Sequence, residues 1–258
     1  MITAKQLDAA AASHTSIARS ADIPATPADA YEIQRAFAAL RARRTGSAIA
    51  AYKIAFTSSA AQSAVSTGGY GSGILLDSEV LHSGATVRLS ERFKPIIEVE
   101  LAFRVRETIE PGDSAQDVLS KTDVSAGIEI PESRFQNWFG GEYPSLKFTE
   151  VLSDNCTGGL IVVGDTWTPA TDVDLIDAPA TLHHDSELVR LGSTAIVVPN
   201  PQTAVAWLAG LLAERDEKLS PGVIVSSGTW TETIVLTPGT WVADFGSTIG
   251  SVTIELIQ

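Results

Sequence analysis

The stretch "IIEVELAFRV", residues 96–105, decides the fold class, because its apolar and polar residues alternate as they do in a β-strand. Val99 and Leu101 project to one side of such a strand. Glu98 and Glu100 project to the other side, with about 7 Å between their positions along the strand. A solvated outer face is the common explanation for such a pair of glutamates. The stretch therefore predicts a strand with one core face and leaves the role of the second face open.

A second stretch, "DVSAGIEIPESRF" at residues 123–135, bears on that second face. Its apolar residues share one side of a strand, and Glu129 lies on the other side beside small residues. Three buried carboxylates would repel one another and raise each other's pKa, so a cluster of Glu98, Glu100 and Glu129 needs a cation to hold it. Hard oxygen ligands in that number suit Mg²⁺ or Mn²⁺.

Composition limits the class of protein and its partners. The chain has 258 residues, 44% hydrophobic and 19% charged, which is enough apolar material for a sizeable core and excludes a disordered protein. The net charge of −13 argues against nucleic acid or an anionic membrane surface as the partner. A cation, or a small-molecule substrate bound through a cation, fits this charge better.

The single cysteine and the apolar runs indicate the compartment. Cys156 is the only cysteine, so the chain forms no intrachain disulfide and no thiolate metal cluster, as expected in a reducing compartment. The apolar run "AVAWLAGLLA", residues 204–213, is about half the roughly 20 residues of a membrane-spanning helix. We expect a cytoplasmic protein that does not span a membrane.

Helix signals concentrate at the front of the chain. In "ATPADAYEIQRAFAALRARRTG", Thr26 is a predicted N-cap, Pro27 takes the first helical position and Gly46 ends the helix, which predicts a helix over residues 27–44. A second helix is predicted over residues 3–18. We therefore expect an N-terminal helical segment, residues 1–48, that packs on the remainder of the chain.

The remainder, residues 49–258, is predicted to be a sheet-based body and a single functional unit. The mixed order of its elements favours an α+β or rolled-sheet architecture over regular βαβ winding. One further helix is predicted after the Asn200 cap. Besides the two strands above, short β-type runs predict strands at 160–163, 195–198, 223–226 and 241–256.

Other motifs carry weaker signals. Lys53, in the apolar run "AYKIAFTSSAAQS", has two interpretations: a strand-end lysine with its head in water, or a lysine that faces a metal site and binds a carboxylate. The segment "GGYGSG", residues 68–73, fails the spacing of a phosphate-binding loop and predicts a lid or turn. Adjacent His183 and His184 are predicted to lie in a surface loop.

Several motifs together resemble a known family. The chain from about residue 28 to its end is similar to the 2-oxopent-4-enoate (2-hydroxypenta-2,4-dienoate) hydratases and the 4-oxalocrotonate decarboxylases of the fumarylacetoacetate hydrolase superfamily. The resemblance implies a mixed β-roll of that type for residues 49–258, a divalent metal, usually Mg²⁺ or Mn²⁺, and oligomeric assembly. The motifs that carry it, in this order and spacing, are "YKIAFTS", "GILLD", "IIEVELAF", "AGIEIPESRF", "DNCTGG", "AVAWLAGLLA", "VIVSSGTWTE" and "PGTWVADFGSTIGSV".

The resemblance also implies roles for individual residues. The family's metal ligands fall on Glu98, Glu100 and Glu129, the trio already suggested by the strand faces. Its active-site lysine falls on Lys53, and the acidic residue after its Leu-Leu pair falls on Asp77. We expect both of these to act in catalysis.

The substrate-binding segments of the family can be carried over in the same way. The substrate carboxylate of relatives lies near a Ser-Gly-Thr segment that falls on Ser227, Gly228 and Thr229, and Thr157 stands where hydratases often carry serine. One departure concerns proton transfer. An acidic residue that often precedes Tyr-Gly in the family's lid is matched here by Gly69 or Gly71.

The implied reaction is hydration of a 2-hydroxy-2,4-dienoate or 2-oxo-enoate to a 4-hydroxy-2-oxoacid, in the catabolism of aromatic compounds after meta-cleavage. Decarboxylation of 2-oxohex-3-enedioate (4-oxalocrotonate) is the alternative, because it uses the same dienolate. A third possibility is a scaffold subunit of low activity. The expected partners are a small-molecule substrate, further copies of the chain, and a homologous enzyme of the same pathway.

Overall fold

The computed structural model describes residues 1–67, 69–139, 146–197 and 199–258. Its helices are α1 (Ala4–Ser13), α2 (Pro27–Thr45), α3 (Ser59–Ala64), α4 (Ala115–Ser120), α5 (Phe148–Ser153), α6 (Pro201–Ala213) and α7 (Gly246–Ile249). Its strands are β1 (Ile49–Ala55), β2 (Gly71–Leu76), β3 (Val80–His82), β4 (Ala85–Arg88), β5 (Ile96–Val105), β6 (Thr122–Ile130), β7 (Leu160–Val163), β8 (Thr168–Pro169), β9 (Pro179–His184), β10 (Glu187–Ser193), β11 (Ile224–Ser226), β12 (Ile234–Val235), β13 (Gly239–Asp244) and β14 (Ser251–Ile257).

The predicted caps set the ends of the long helices. The Thr26 side chain accepts a hydrogen bond from the Asp29 backbone, and the Asp29 carboxylate accepts one from the Thr26 backbone, so α2 begins where predicted. It ends at left-handed Gly46. Helix α6 begins after its Asn200 cap, also as predicted. Helix α1 is shorter than the predicted 3–18, because His14 takes a left-handed conformation and ends it.

Two sheets form the body of the protein. The larger runs in the order β2-β1-β11-β5-β6-β7-β3, with β12 paired to β5 and β8 paired to β6. The smaller runs β10-β9-β13-β14-β4. Both sheets contain parallel as well as antiparallel pairs, for example β1 with β11 and β14 with β4. The mixed α+β fold is as predicted.

Strands β5 and β6 present two different faces. One face, which includes Val99, Leu101 and Ile128, forms part of the main hydrophobic core. Ile254 of the smaller sheet and Leu208 of α6 belong to the same core. The opposite face carries the predicted acidic residues and, further along, a small cluster around Ala102. The N-terminal helices contribute to a second core cluster, which the candidate site adjoins.

Three local predictions were wrong. His183 and His184 lie in strand β9 rather than in a loop, and the His184 ring stacks on Trp241 with 4.1 Å between ring centroids. The predicted strand at 195–198 is a single 3₁₀ turn, Thr194–Ile196, and residue 198 lies outside the described residues. Residues 71–73, predicted as part of a lid or turn, begin strand β2.

Within the part of the chain that the structure describes, no helix has the length and apolar character that a bilayer crossing demands.

Candidate metal centre

The register of β5 and β6 brings the three predicted glutamates together. Glu98 lies directly opposite Glu129 in the antiparallel pair, and Glu100 lies opposite Gly127 on the same face. One carboxylate oxygen from each of the three side chains lies within 4.8 Å of the others. The two strands are too close here for a side chain at Gly127, because a Cβ there would stand 2.9 Å from the Glu100 carbonyl oxygen.

Glu100 is the most firmly held of the trio. Its Oε2 accepts hydrogen bonds from Ser226 Oγ at 2.5 Å and from the Gly228 backbone at 2.7 Å. Ser226 is the last residue of β11, and Gly228 lies two residues beyond it. Strand β11 lies next to β5 in the sheet. Burial raises the pKa of Glu100 well above its usual range, and the charges of Glu129 and Glu98 raise it further.

Glu98 is the one member of the trio that is partly accessible to solvent. Burial and the neighbouring charge of Glu129 raise its pKa to about 8, although the ammonium of Lys53 acts in the opposite direction. Loss of hydration is the larger cause of this shift, and the like charge of Glu129 adds to it.

Lys53 reaches the trio from β1, a strand that is separated from β5 by β11. Its Nζ forms an ion pair with Glu129 Oε1 and donates a hydrogen bond to the Gly158 carbonyl oxygen at 2.9 Å. Burial lowers the pKa of Lys53, but the charges of Glu129 and Glu98 outweigh it, so the pKa is raised. Lys53 is buried, and a water-exposed strand-end lysine, one of its two interpretations, is therefore excluded.

The donor set fits a divalent cation. Glu129 Oε2 is buried and accepts no hydrogen bond from any described residue. The three carboxylates and one ammonium together leave two negative charges, which a doubly charged ion balances. Carboxylate oxygens in a group open to solvent on one side are the ligands that Mg²⁺ and Mn²⁺ take, with the remaining positions left to water or substrate.

A left-handed turn closes the site behind Lys53. Residues 155–159 all have positive φ, including Asn155 at 60°, Cys156 at 48° and Thr157 at 61°. Side chains other than glycine pay roughly 1–2 kcal/mol each for this conformation, and such strain is typical of functional sites. The turn aims the Gly158 carbonyl oxygen at the Lys53 ammonium.

Asn155 ties this turn to the sheet. Its Oδ1 accepts from the Ile74 backbone N–H at 2.7 Å and its Nδ2 donates to the Ile74 carbonyl oxygen at 2.7 Å. Its side chain thus pairs with β2, next to β1, as another strand would. Gly73, opposite Lys53 in the register, has no room for a Cβ, which would stand 2.5 Å from the Asn155 carbonyl oxygen.

The trio and Lys53 line a cavity of about 690 Å³, a volume that includes the open solvent at its mouth. Polar groups on the wall beside the trio include Thr157, Gly228 and Thr229. Most of the remaining wall is apolar.

Comparison with known proteins shows the family. A scan against models of protein families found no match. The 2-oxo-hept-4-ene-1,7-dioate hydratase of Escherichia coli is 30% identical over 261 residues, 99% of this chain and 97% of the relative. A 4-oxalocrotonate decarboxylase of Pseudomonas putida is 31% identical over 236 residues, 90% of this chain and 86% of the relative. The chain belongs to the 2-oxo-enoate hydratase and 4-oxalocrotonate decarboxylase family.

A solved structure shows the same fold for this family member. The 4-oxalocrotonate decarboxylase from Pseudomonas putida, complexed with magnesium and adipate, superposes with a TM-score of 0.89 and 27% identity, covering 98% of this chain and 95% of the other. The predicted fold, that of the fumarylacetoacetate hydrolase superfamily, is therefore confirmed, and the protein is an enzyme of the hydratase and decarboxylase family.

The structure brings most of the predicted site residues of this family member into one cavity, and one prediction needs correction. Asp77 is exposed and starts the 3₁₀ turn that follows β2. Lys53 pairs with Gly73, so Asp77 lies four residues further along the chain, roughly 13 Å at strand spacing. Asp77 is not among the residues that line the cavity, and its position does not suit a catalytic role. The predicted site residues that do line the cavity are Lys53, Glu98, Glu100, Glu129, Thr157, Gly228 and Thr229.

The two glycines at the family's acidic position differ in the space around them. A Cβ at Gly71 would stand 2.9 Å from Leu152 and 3.0 Å from Cys156 Sγ. No atom of the described residues lies within 4 Å of a Cβ placed at Gly69. An acidic side chain is therefore accommodated at position 69 and not at position 71.

Sequence reasoning missed three supporting residues. Ser226 was read only as part of a strand, Asn155 was not singled out, and Gly158 was only one letter of a motif. The consecutive glycines Gly158 and Gly159 were the available signal, since a glycine pair after a short helix indicates left-handed backbone.

Proposed function

We propose that this enzyme is a divalent-metal-dependent hydratase. It would add water to a 2-hydroxy-2,4-dienoate, through the 2-oxo-enoate tautomer, and give a 4-hydroxy-2-oxoacid in aromatic meta-cleavage catabolism. The observation that carries the proposal is the convergence of three carboxylates and one paired lysine in one cavity.

Glu98, Glu100 and Glu129 would hold Mg²⁺ or Mn²⁺. When bound, the ion supplies Lewis acidity to the 2-oxygen and one carboxylate oxygen of a 2-oxo acid. Ser226 and the Gly228 backbone orient Glu100, so this ligand is set before the cation arrives.

Lys53 would bind the substrate carboxylate. An ammonium has three N–H donors, and two of those of Lys53 are engaged by Glu129 and the Gly158 carbonyl oxygen. The third remains for an anionic group in the cavity. Because Glu129 keeps Lys53 charged, we assign to Lys53 the electrostatic orientation of the substrate rather than the transfer of a proton.

The wall beside the trio would complete the polar contacts of the substrate. The Thr157 hydroxyl donates to the Cys156 carbonyl oxygen at 2.8 Å, which leaves its lone pairs as acceptors. The Thr229 hydroxyl donates to the Thr231 carbonyl oxygen at 3.1 Å, so it too can accept a hydrogen bond from a water or a substrate hydroxyl.

Decarboxylation is the second candidate, because a relative and a structural neighbour of comparable similarity are named 4-oxalocrotonate decarboxylases. Both reactions pass through a dienolate that the same site stabilises. They differ in the bond that changes: water adds at C4 in the first, and a carboxylate leaves as CO₂ in the second.

A direct assay separates the candidates. The protein, stripped of metal and reloaded with Mg²⁺, is given 2-hydroxypenta-2,4-dienoate and, separately, 2-oxohex-3-enedioate, with products identified by mass spectrometry in ¹⁸O-labelled water. We expect Mg²⁺-dependent incorporation of label at C4 of the product. CO₂ release without water addition would reject the hydratase proposal, and metal binding with neither reaction would favour a scaffold subunit.

A further inference from the structure

The cavity changes character along the strands that carry the trio. On β5, the residue that follows Glu100 and Glu98 on the same face is Ile96, and Pro131, two residues beyond Glu129, comes directly after the end of β6. The Ile96 backbone donates to the Pro131 carbonyl oxygen at 3.1 Å, so the two lie side by side. One end of the cavity is therefore charged, and the wall turns apolar within one side-chain step.

The apolar end is a continuous surface. Its lining side chains pack in one core cluster with the N-terminal helices. That cluster includes Phe56, Ile96, Trp138, Leu146 and Val151, all of which line the cavity.

Two aromatic rings give this end a defined shape. The Trp138 indole N–H donates to the Phe93 carbonyl oxygen at 2.9 Å, which fixes the plane of its ring. The Phe56 ring makes an edge contact with Phe148, with 5.3 Å between centroids. A rigid apolar wall of this kind binds hydrocarbon without a large ordering cost.

No described residue at this end of the cavity supplies a counter-ion for a second anionic group. Lys53 is the sole cationic side chain among the described residues that line the cavity, and Glu129 already pairs with it. A carboxylate taken into an apolar wall without a partner loses its hydration and gains no compensating contact.

We infer that the substituent at the distal end of the substrate is an uncharged hydrocarbon group, so that the enzyme takes monocarboxylic 2-hydroxydienoates and discriminates against dicarboxylates. The inference rests on the proposed function for the position of the 2-oxo acid head at the trio. It distinguishes this chain from the structural neighbour that binds adipate, a dicarboxylate.

The test uses saturated 2-oxo acids as unreactive probes, in calorimetric titrations of the Mg²⁺-loaded protein. From 2-oxobutanoate to 2-oxopentanoate to 2-oxohexanoate, Kd is expected to fall roughly fourfold with each methylene that enters the apolar end. 2-Oxohexanedioate, which has the same chain length as 2-oxohexanoate and a second carboxylate, is expected to bind at least about tenfold more weakly. Equal or tighter binding of the diacid would overturn the inference.

Failure of the two proposals is distinguishable in this experiment. If no 2-oxo acid binds in a Mg²⁺-dependent manner, the proposed function fails. If both probes bind and the diacid is preferred, only the assignment of the distal group fails.

A matched pair of variants tests the location. Ala61 lines the cavity on α3 and is partly exposed, so a longer side chain there can be accommodated. Ala61→Lys is expected to raise the affinity for 2-oxohexanedioate relative to 2-oxohexanoate by about tenfold, while Ala61→Gln, of similar length without charge, leaves the ratio unchanged. An unchanged ratio in folded Ala61→Lys protein would contradict the location.

Discussion

Strands β5 and β6 have two faces that differ in what they contribute, although they share one backbone. The core face, with Val99, Leu101 and Ile128, removes apolar surface from water and stabilises the fold. The other face gathers Glu98 and Glu129 in a buried cluster that opposes folding until a cation joins it. One face therefore supplies stability, and the other uses some of that stability to prepare a binding site.

The largest expected effect is at the acidic face. Glu100→Gln keeps the size of the side chain and removes its charge, so Mg²⁺ affinity should fall by more than about 100-fold, since even supporting residues of metal ligands contribute 10- to 100-fold. The proposed hydratase activity should be lost with it. Titration calorimetry of the metal-stripped variant measures this Kd, and wild-type affinity would show that Glu100 is not a ligand.

The next effect separates metal binding from substrate orientation. Lys53→Met removes a positive charge beside the carboxylates, so Mg²⁺ should bind at least as tightly as in the wild type. The catalytic efficiency, kcat/KM, should nevertheless fall by about 10²- to 10³-fold, as on removal of one preorganised donor. If Lys53→Met kept full hydratase turnover, the assigned role would be wrong.

The core face should respond in the opposite way. Leu101→Ala is expected to lower the free energy of unfolding by about 2–5 kcal/mol through lost burial and a cavity. The Mg²⁺ affinity of the folded variant should stay that of the wild type, because Leu101 projects away from the trio. Urea denaturation measures the free energy of unfolding, and calorimetry measures the Mg²⁺ affinity. A weaker Mg²⁺ affinity would show that the two faces do not act independently.

A smaller effect is expected at the turn behind Lys53. Asn155→Asp keeps the acceptor for the Ile74 backbone N–H, loses the donor to the Ile74 carbonyl oxygen and places a carboxylate at a fully buried position. The free energy of unfolding should fall by at least about 1–3 kcal/mol, because a buried unsatisfied group costs that much and a charged one costs more. The affinity for Mg²⁺ should change little, because the ligands lie on other strands. Thermal unfolding measures the change in stability. An unchanged Tm would show that the hydrogen bonds of the Asn155 side chain do not stabilise the turn.

The pH dependence of the metal-free protein changes its stability most gradually, by a small amount for each pH unit. The pKa of Glu98 is raised from near 4.5 in the unfolded chain to about 8 in the folded one. The folded protein therefore binds more protons between these values, and its stability falls as pH rises through this window, by at most about 1.4 kcal/mol per pH unit for one proton. Glu98→Gln should flatten the dependence of the unfolding free energy on pH. A rise of stability with pH across this window in the wild type would contradict the prediction.

Local patterns explain which parts of the structure were predictable. Alternation in residues 96–105 and 124–130 predicted β5 and β6 and the shared face of the trio, because side-chain direction in a strand has a period of two. Thr26 and Asn200 predicted helix starts for an equally local reason, since an N-cap bonds to the first turn of its own helix.

Long-range pairing and backbone strain were not predictable from such patterns. Strand β11 lies between β1 and β5, which places Ser226 against Glu100 across 126 residues of sequence. Asp77 was assigned by similarity of a motif, but the register of β2 carries it away from Lys53. Alternation also cannot distinguish a solvated polar face from a buried polar one.

A crystal structure with Mn²⁺ and oxalate, using anomalous scattering from manganese, tests the central claim most directly. The account predicts one anomalous peak in the cavity, about 2.2 Å from an oxygen of each of Glu98, Glu100 and Glu129, with oxalate completing the coordination. A manganese ion bound away from these three carboxylates, or an empty cavity at saturating Mn²⁺, would contradict it.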